Sequence, residues 1–372
     1  MPGTAVVIGG GIGGLGAAIG LQRKGWRVTV LERAAEFRPV GAGLVLQANG
    51  LRCLDALGLG ATVRERGRRD VSAGTRTSAG RWLAHIGAGE LERLLGTPAI
   101  GIHRAVLHDI LLGALPAETV LTGATVESVT ADGAVTWHGP DGPGRAQADL
   151  VVAADGIHST ARTALFSAVP EPRRIGVTAW RGVTPVWAGD LDVAVSWAPG
   201  AEFGMVPLTD GRVYWYGAVN SDQSAGDVRS HFSAWHDPIP ALIASTETVL
   251  TDELACLDTP LTSYVRGRVA LLGDAAHAMT PHLGQGANQA LEDAVVLAAL
   301  ADQPQGLREY DRQRRPRSQR VAQASRTVGR FGQQLRNPAA VAARNALMRL
   351  TPPRFALRSM ARFAGWQPPS LD

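Results

Sequence analysis

Residues 4–32, TAVVIGGGIGGLGAAIGLQRKGWRVTVLE, decide how this chain is read. Residues 5–8 are an apolar run of the kind a parallel sheet buries on both faces. Gly9, Gly10, Gly11, Gly13 and Gly14 follow around Ile12, and then Leu15, Ala18, Ile19 and Leu21 recur at helical spacing. Gly25 is a usual helix stop, and residues 27–31 read as a second strand that ends at Glu32. That is a β-α-β unit, with Gly9, Gly11 and Gly14 fitting GxGxxG at its first turn. The glycines permit a tight turn, close approach of backbone to a pyrophosphate, and close packing of helix on strand. The helix N-terminus offers free N–H groups and a partial positive charge to an anion. Glu32, beside Arg33, stands 18 residues past Gly14, where a carboxylate accepts hydrogen bonds from ribose hydroxyls. The motif alone does not separate FAD from NAD.

Outward from this unit the pattern continues and is then interrupted. Residues 41–49 (GAGLVLQAN) are a glycine-rich segment before a helical stretch through Leu51, Leu54 and Leu57. Residues 103–115 read as a helix, 120–129 with 134–138 as a strand pair, and 149–154 (DLVVAA) as a buried strand. After about residue 175 the character changes, because 176–264 hold 10 of the 20 aromatic residues. Runs of β-type at 192–197 and 212–219 lie there between turn signals, which predicts a mostly antiparallel sheet with an aromatic face. Residues 268–272 (RVALL) return to the parallel-strand pattern, and a helix is expected from 288 to about 301.

Two further stretches carry chemistry: DLVVAADGIHSTAR at 149–162 and RVALLGDAAHAMTPHLGQGANQALED at 268–293. With the glycine loop they supply three fingerprints in order: GxGxxG, a "DG" after a strand, and a "GD" toward the C-terminal third. Over about residues 4–320 the chain therefore resembles the single-component FAD-dependent aromatic monooxygenases of the p-hydroxybenzoate hydroxylase fold. Residues 41–49 and AWRG at 179–182 make it most similar to the salicylate, 6-hydroxynicotinate and urate hydroxylase branch. The resemblance implies an α/β fold: a Rossmann-like FAD-binding domain, an inserted mostly antiparallel β-sheet substrate domain, and a C-terminal helical tail. The expected division is 1–70, 98–175 and 265–330 for FAD, 71–97 and 176–264 for substrate, and 331–372 for the tail.

For the site, the resemblance assigns FAD contacts to Gly9, Gly11, Gly13, Gly14, Glu32, Arg33, Val45 and Arg104. It adds Asp155 and Gly156, supported by Arg162, and Gly273, Asp274, Pro281, Gly284, Gly286, Ala287 and Asn288. The physics is consistent. Asp274 follows a buried strand directly, so its carboxylate emerges at the carboxyl edge of the sheet. The small residues at 284–288 let backbone N–H groups approach a flavin pyrimidine edge. The implied reaction uses NAD(P)H as a transient co-substrate and O2, through a flavin C4a-hydroperoxide, and the cofactor carries the hard chemistry. Hydroxynicotinate-type members can place a histidine base in the segment aligned with 43–45, where Val45 stands here. Tyr214 sits where related enzymes put substrate-facing aromatics, and Arg181 of AWRG is suited to a substrate carboxylate. A packing tyrosine and a structural arginine remain the plainer readings of these two catalytic candidates.

Composition excludes several other classes. Hydrophobic residues are 45% and charged residues 19% of 372, enough for a sizeable core and against disorder. Cys53 and Cys256 make neither a disulfide framework nor a zinc motif, and there is no HExxH or G-x-S-x-G. His103/His108, His231/His236 and His277/His282 are spaced by five, which does not align two ligands on a helix, so no metal is expected. With no signal peptide or membrane-length apolar run, the protein is expected to be soluble and cytoplasmic. Residues 304–366 carry 14 Arg against Glu309 and Asp311, a local +12 within a net +4. Those arginines are spread among Ala, Val and Leu, as on a solvated helical face, and not as in a nucleic-acid arm. Arg354, Arg358 and Arg362, with Phe355, Met360, Phe363 and Trp366 interspersed, read as domain packing or a dimer contact in preference to an interfacial membrane helix. The expected partners are a small-molecule substrate and O2, with no nucleic acid and no membrane, for a monomer or homodimer. Alternatives are an FAD-dependent epoxidase or hydroxylase tailoring a polyketide or isoprenoid, a non-catalytic flavin-binding protein, and a plain NAD dehydrogenase, which the DG and GD motifs disfavour.

Overall fold

The strand Thr4–Ile8 pairs in parallel with Arg27–Glu32 on one side and with Leu150–Ala153 on the other. The computed structural model describes residues 3–37, 43–69, 72–87, 89–166, 171–224 and 226–371. Gly41, Ala42 and the expected 70/71 boundary lie outside them. Val269–Leu271 extends the parallel set beyond Leu150–Ala153, and Val120–Thr122 extends it beyond Arg27–Glu32. Val7, Val30, Val152 and Ala270 are fully buried, because helices cover the sheet and its central strands face no solvent. Each large side chain buried here contributes about 1.5–3 kcal/mol relative to exposure.

The first helix, Ile12–Arg23, lies against Gly286–Leu300 through a row of small residues. Added Cβ atoms on Gly13 and Gly20 would stand 3.0 and 2.7 Å from the Cβ atoms of Ala290 and Ala298, with Gly16 facing Ala294 between them. The spacing of three and four on one helix matches the spacing of four on the other, so the two backbones approach closely. The helices that follow the first glycine loop and close the third stretch are thereby locked side by side.

The second sheet has seven strands in the order Val249–Cys256, Arg173–Val183, Val213–Asn220, Ala201–Pro207, Val193–Ala198, Ala73–Thr77, Trp82–Ile86. One face, with Trp180, Phe203 and Trp215, is covered by the helices Val228–Phe232 and Ile239–Ser245. Period-two alternation sends Val206, Tyr214 and Tyr216 to the opposite face, where they pack with Val45 of the strand Gly43–Leu46. The long helix Gly306–Phe331 is pinned to the parallel sheet by the Tyr310 hydroxyl, which donates to the Leu271 carbonyl at 2.8 Å.

Some elements differ from the sequence reading. The stretch 120–129 splits: Val120–Thr122 joins the parallel sheet, and Thr125–Val129 starts a three-stranded meander with Ala134–Gly139 and Gly142–Gln147. The third meander strand, GPGRAQ, lacks alternation and is poor in β-formers, so periodicity did not reveal it. Within the antiparallel sheet, Val193–Ala198 pairs in parallel with Ala73–Thr77. The C-terminal helix Pro353–Ala364 packs on the chain itself: Arg52 donates to the Ala364 and Trp366 carbonyls and Arg317 to the Phe363 carbonyl.

Candidate functional site

Each glycine of the first loop has its own reason. Gly9 takes φ +103°, and a Cβ there would stand 2.4 Å from the Ala154 carbonyl oxygen. A Cβ on Gly14 would stand 2.0 Å from the Gly9 oxygen, and one on Gly13 would strike Leu272 at 2.5 Å. Gly11 differs, since nothing lies within 4 Å of its Cβ position. Leu15 N–H makes a bond back to the Gly11 carbonyl at 2.9 Å, which leaves the N–H groups of the preceding turn without partners inside the helix. Glu32 sits at the strand end as expected, and its carboxylate accepts from Gly10 N at 2.7 Å and Ala34 N at 2.8 Å. Two of its roughly four lone-pair sites therefore hold the loop to the strand, and two remain. His108 donates from Nε2 to the Gly10 carbonyl at 2.7 Å, while Arg33 and Arg104 are exposed nearby in sequence to Glu32 and His108.

The second motif lies at the carboxyl end of the adjacent strand. Asp155 Oδ2 accepts from Ala161 N at 3.2 Å, whereas Oδ1 is buried with no hydrogen-bond partner. Gly156 takes φ +82° and has open space at its Cβ position. Arg162, 3% exposed, donates to the carbonyls of Ala275 and Ile157 at 3.0 and 2.5 Å, and so ties the DG loop to the GD helix.

At the third motif Gly273 takes φ +61° and Asp274 opens the short helix Asp274–His277 with its carboxylate exposed. Pro281 begins the turn Pro281–Leu283, Gly284 is left-handed at φ +61°, and Gly286 starts the helix Gly286–Leu300 with nothing within 4 Å of its Cβ position. Ala287 is half-buried behind it. The Asn288 amide donates to the carbonyls of Val45 (3.1 Å) and Gly284 (2.9 Å), and its oxygen accepts from Gln47 N (3.0 Å). Asn288 thus fastens the strand Gly43–Leu46 to the glycine turn.

Beneath this turn lies a buried polar network that the sequence reading did not find. Arg314 pairs with Glu292 and, at 2.7 Å, with Asp293; Arg317 pairs with Glu292 at 2.6 Å; Asn49 donates to Glu292 at 2.7 Å. His277 Nε2 and Gly273 N both donate to Asp293, at 2.6 and 2.9 Å. Burial alone would raise the Asp293 carboxyl, but His277, Arg314 and the Gly273 N–H outweigh it and hold the group at about 2. Two carboxylates against two guanidiniums, each hydrogen-bonded, make the burial tolerable.

The opposite wall is the sheet face of Tyr214. Its ring covers Gly43, where a Cβ would stand 2.5 Å from the ring, so glycine is required. Burial pushes the Tyr214 phenol up to about 12 against the opposing charges of Arg181 and Arg104. Arg181 is held by an ion pair with Asp252 on the neighbouring strand, and its Nε is buried without a partner. That pairing takes up part of the fork expected for a substrate carboxylate. Glu202, on the same face, is 3% exposed and its carboxyl is pushed up to about 7 by burial, with Trp197 Nε1 donating at 3.1 Å. Its signal in the sequence is slight: one acid in phase with Gly204 and Val206 on an apolar strand. Both ring nitrogens of His282, a half-buried residue, are buried without a partner, and this desolvation lowers it to about 4 and keeps it neutral at pH 7.

One observation unites the three motifs. Gly11, Gly156 and Gly286 each face open space, and each sits beside the carboxyl end of a parallel strand or at the start of a helix. They fit an extended phosphorylated group lying across the carboxyl ends of the strands, and the orphaned Asp155 oxygen is free to accept from a hydroxyl or N–H of that group.

Comparison with known proteins bears directly on that group. Residues 3–325 match the FAD binding domain family. The chain is 36% identical over 368 residues to aurachin C monooxygenase/isomerase of Stigmatella aurantiaca, covering 93% of this chain and 94% of that protein. It is 37% identical to 3-amino-4-hydroxybenzoate 2-monooxygenase of Streptomyces cremeus, covering 87% and 86%. Among solved structures, Klebsiella pneumoniae HpxO complexed with FAD and uric acid superposes with a TM-score of 0.88 at 29% identity, covering 97% of this chain and 96% of that one.

Proposed function

The chain belongs to the FAD binding domain family and is an FAD-dependent monooxygenase, and on that premise we propose how its own residues divide the work. It uses NAD(P)H and dioxygen to hydroxylate an aromatic or heteroaromatic small molecule held on the Tyr214 face of the sheet, beside the strand Gly43–Leu46 that packs on it. The observation that carries the site is the open space at Gly11, Gly156 and Gly286. Bound FAD supplies hydride acceptance from NAD(P)H and activation of dioxygen.

The protein supplies binding, orientation and exclusion of water. Gly9, Gly11, Gly13 and Gly14 bring backbone and the unpaired N–H groups of the first helix turn to the pyrophosphate. The two free lone-pair sites of Glu32 accept ribose hydroxyls, with Arg33 and Arg104 adding positive charge at the rim. Asp155 and Gly156 back the pyrophosphate, Asp274 receives a ribityl hydroxyl, and Gly273 lets the strand turn toward it. Pro281, Gly284, Gly286, Ala287 and Asn288 hold the pyrimidine edge, where the N-terminus of Gly286–Leu300 favours negative charge. Val45 lines the ring. Tyr214 keeps its proton at neutral pH and donates a hydrogen bond to a substrate oxygen. Arg181, positioned by Asp252, presents its unpartnered Nε.

The division into an FAD-binding unit (1–70, 98–175, 265–330) and a substrate unit (71–97, 176–264) follows the same reading. So do a cytoplasmic location and a monomer or homodimer; among the described residues no helix is long and apolar enough to cross a membrane. The test is a panel of hydroxylated aromatics with FAD, NAD(P)H and isotopically labelled dioxygen. One labelled oxygen in a product, with substrate-stimulated NAD(P)H oxidation, is expected. Bound flavin with no stimulation by any aromatic would instead indicate a flavin-binding protein without turnover.

A further inference from the structure

The sheet face that carries Tyr214 continues away from Val45 along the strand Ala201–Pro207. Val206, Gly204 and Glu202 alternate onto that face, and Tyr214, Tyr216 and Ala218 stand opposite them on the paired strand Val213–Asn220. Gly204 is glycine because the Tyr216 ring lies across it: a Cβ there would stand 2.1 Å from the ring and 2.8 Å from the hydroxyl oxygen. The line therefore runs Val45, Tyr214, Tyr216, Glu202, and it ends at Trp197. Trp197 is backed by Gly332 at the end of the long helix and by the Arg344 guanidinium 5.0 Å above its ring.

Three polar groups on this line are unspent. Among the described residues neither tyrosine hydroxyl has a hydrogen-bond partner, and no cation pairs with Glu202, whose one bond is from Trp197. A buried carboxyl with a single donor is costly, and such groups are retained where a ligand completes them. The titratable groups facing it are Tyr216 and, one pair further, Tyr214 from the strand Val213–Asn220; Arg344 touches this line at the ring of Trp197 and spends its hydrogen bonds on the Phe331 and Gly332 carbonyls and Asn345.

Resting on the monooxygenase reading, we propose that Glu202 and Tyr216 form the distal wall of the substrate site and determine specificity. Glu202 accepts an N–H of an uncharged aminoaromatic or N-heteroaromatic ring, and its charge repels a ring that carries a carboxylate as well. Burial raises the Glu202 carboxyl to about 7, so rejection of an anion strengthens as pH rises through neutrality, while an N–H donor is accepted in either state.

The experiment titrates the FAD-loaded enzyme, read by flavin absorbance, with 3-amino-4-hydroxybenzamide, 3-amino-4-hydroxybenzoate and 4-hydroxybenzamide. At about pH 8 the wild type should bind the aminoamide about tenfold tighter than either other compound, and its preference over the acid should shrink by about pH 6. Glu202→Gln keeps the side-chain shape, and it should bring the acid to within about threefold of the amide at both pH values. Tyr216→Phe should weaken the aminoamide while leaving the acid-to-amide preference dependent on pH. Unchanged preferences in Glu202→Gln would overturn the proposal. If that variant does not fold, a wild-type preference independent of pH does so. Failure of the aminoamide to bind yellow enzyme that NAD(P)H still reduces would also overturn it and leave the monooxygenase reading standing. Protein without flavin would remove both.

Discussion

Gly11 and Gly14 are three residues apart in one loop, yet substitution should fail at them for different reasons. A methyl on Gly14 would press on the Gly9 carbonyl, which is backbone and cannot yield, so Gly14→Ala should cost about 1–3 kcal/mol of stability in denaturant titration. A methyl on Gly11 meets nothing, so Gly11→Ala should unfold like the wild type and lose FAD affinity at least several-fold in flavin titration. Equal stability losses at both would refute a ligand-facing role for Gly11. Glu202 gives a prediction of the opposite electrostatic sign to Asp293. Its folded carboxyl stands at about 7 against an ordinary 4.5, so the native state holds the proton that the unfolded state has released. Stability should therefore fall as pH rises from 4.5 to 7, by at most about 3 kcal/mol, and Glu202→Gln should abolish that fall. Asp293, held at about 2 against 3.8, contributes stability that is present above pH 3.8 and is lost as pH falls toward 2. Melting curves across pH separate the two.

Among the elements, the helices Gly286–Leu300 and Gly306–Phe331 set the glycine turn through the Glu292–Asp293–Arg314–Arg317 network. Removing one partner strands a buried charge, so Arg314→Leu should destabilise by about 3–5 kcal/mol, read by denaturant unfolding. A loss under 1 kcal/mol would mean that the network is better solvated than its burial indicates. The C-terminal helix Pro353–Ala364 acts on the same network from outside. Its final carbonyls accept from Arg52 and Arg317, and Trp366 lies 5.6 and 5.5 Å beneath the Arg314 and Arg317 guanidiniums. Truncation after residue 350 should therefore lower the melting temperature by several degrees and speed FAD loss on dilution. The basic residues that read in sequence as a solvated face are, at these contacts, paired from within.

Across the molecule, what was legible in sequence is what local pattern dictates. The β-α-β unit, the DG and GD strand ends and the aromatic sheet each announce themselves through period, glycine placement or composition over a short window. The rest depends on who meets whom. Glu292 and Asp293 look like surface acids of a helix until Arg314 and Arg317 arrive from 21–25 residues later, and Asn49 from 243 earlier. Glu202 looks like one acid in a strand until the sheet register places it beside Tyr216. The parallel pairing of Ala73–Thr77 with Val193–Ala198 joins stretches that no local signal connects.

Three separated segments, around Gly11, Gly156 and Gly286, leave open space that we propose one nucleotide fills. Spectrophotometric titration of the purified chain with FAD, followed by gel filtration, tests this most directly. About one flavin per chain should be retained, and retention should weaken when any of the three glycines becomes alanine. Well-folded wild-type protein that leaves the column with no flavin absorbance after saturation would contradict it.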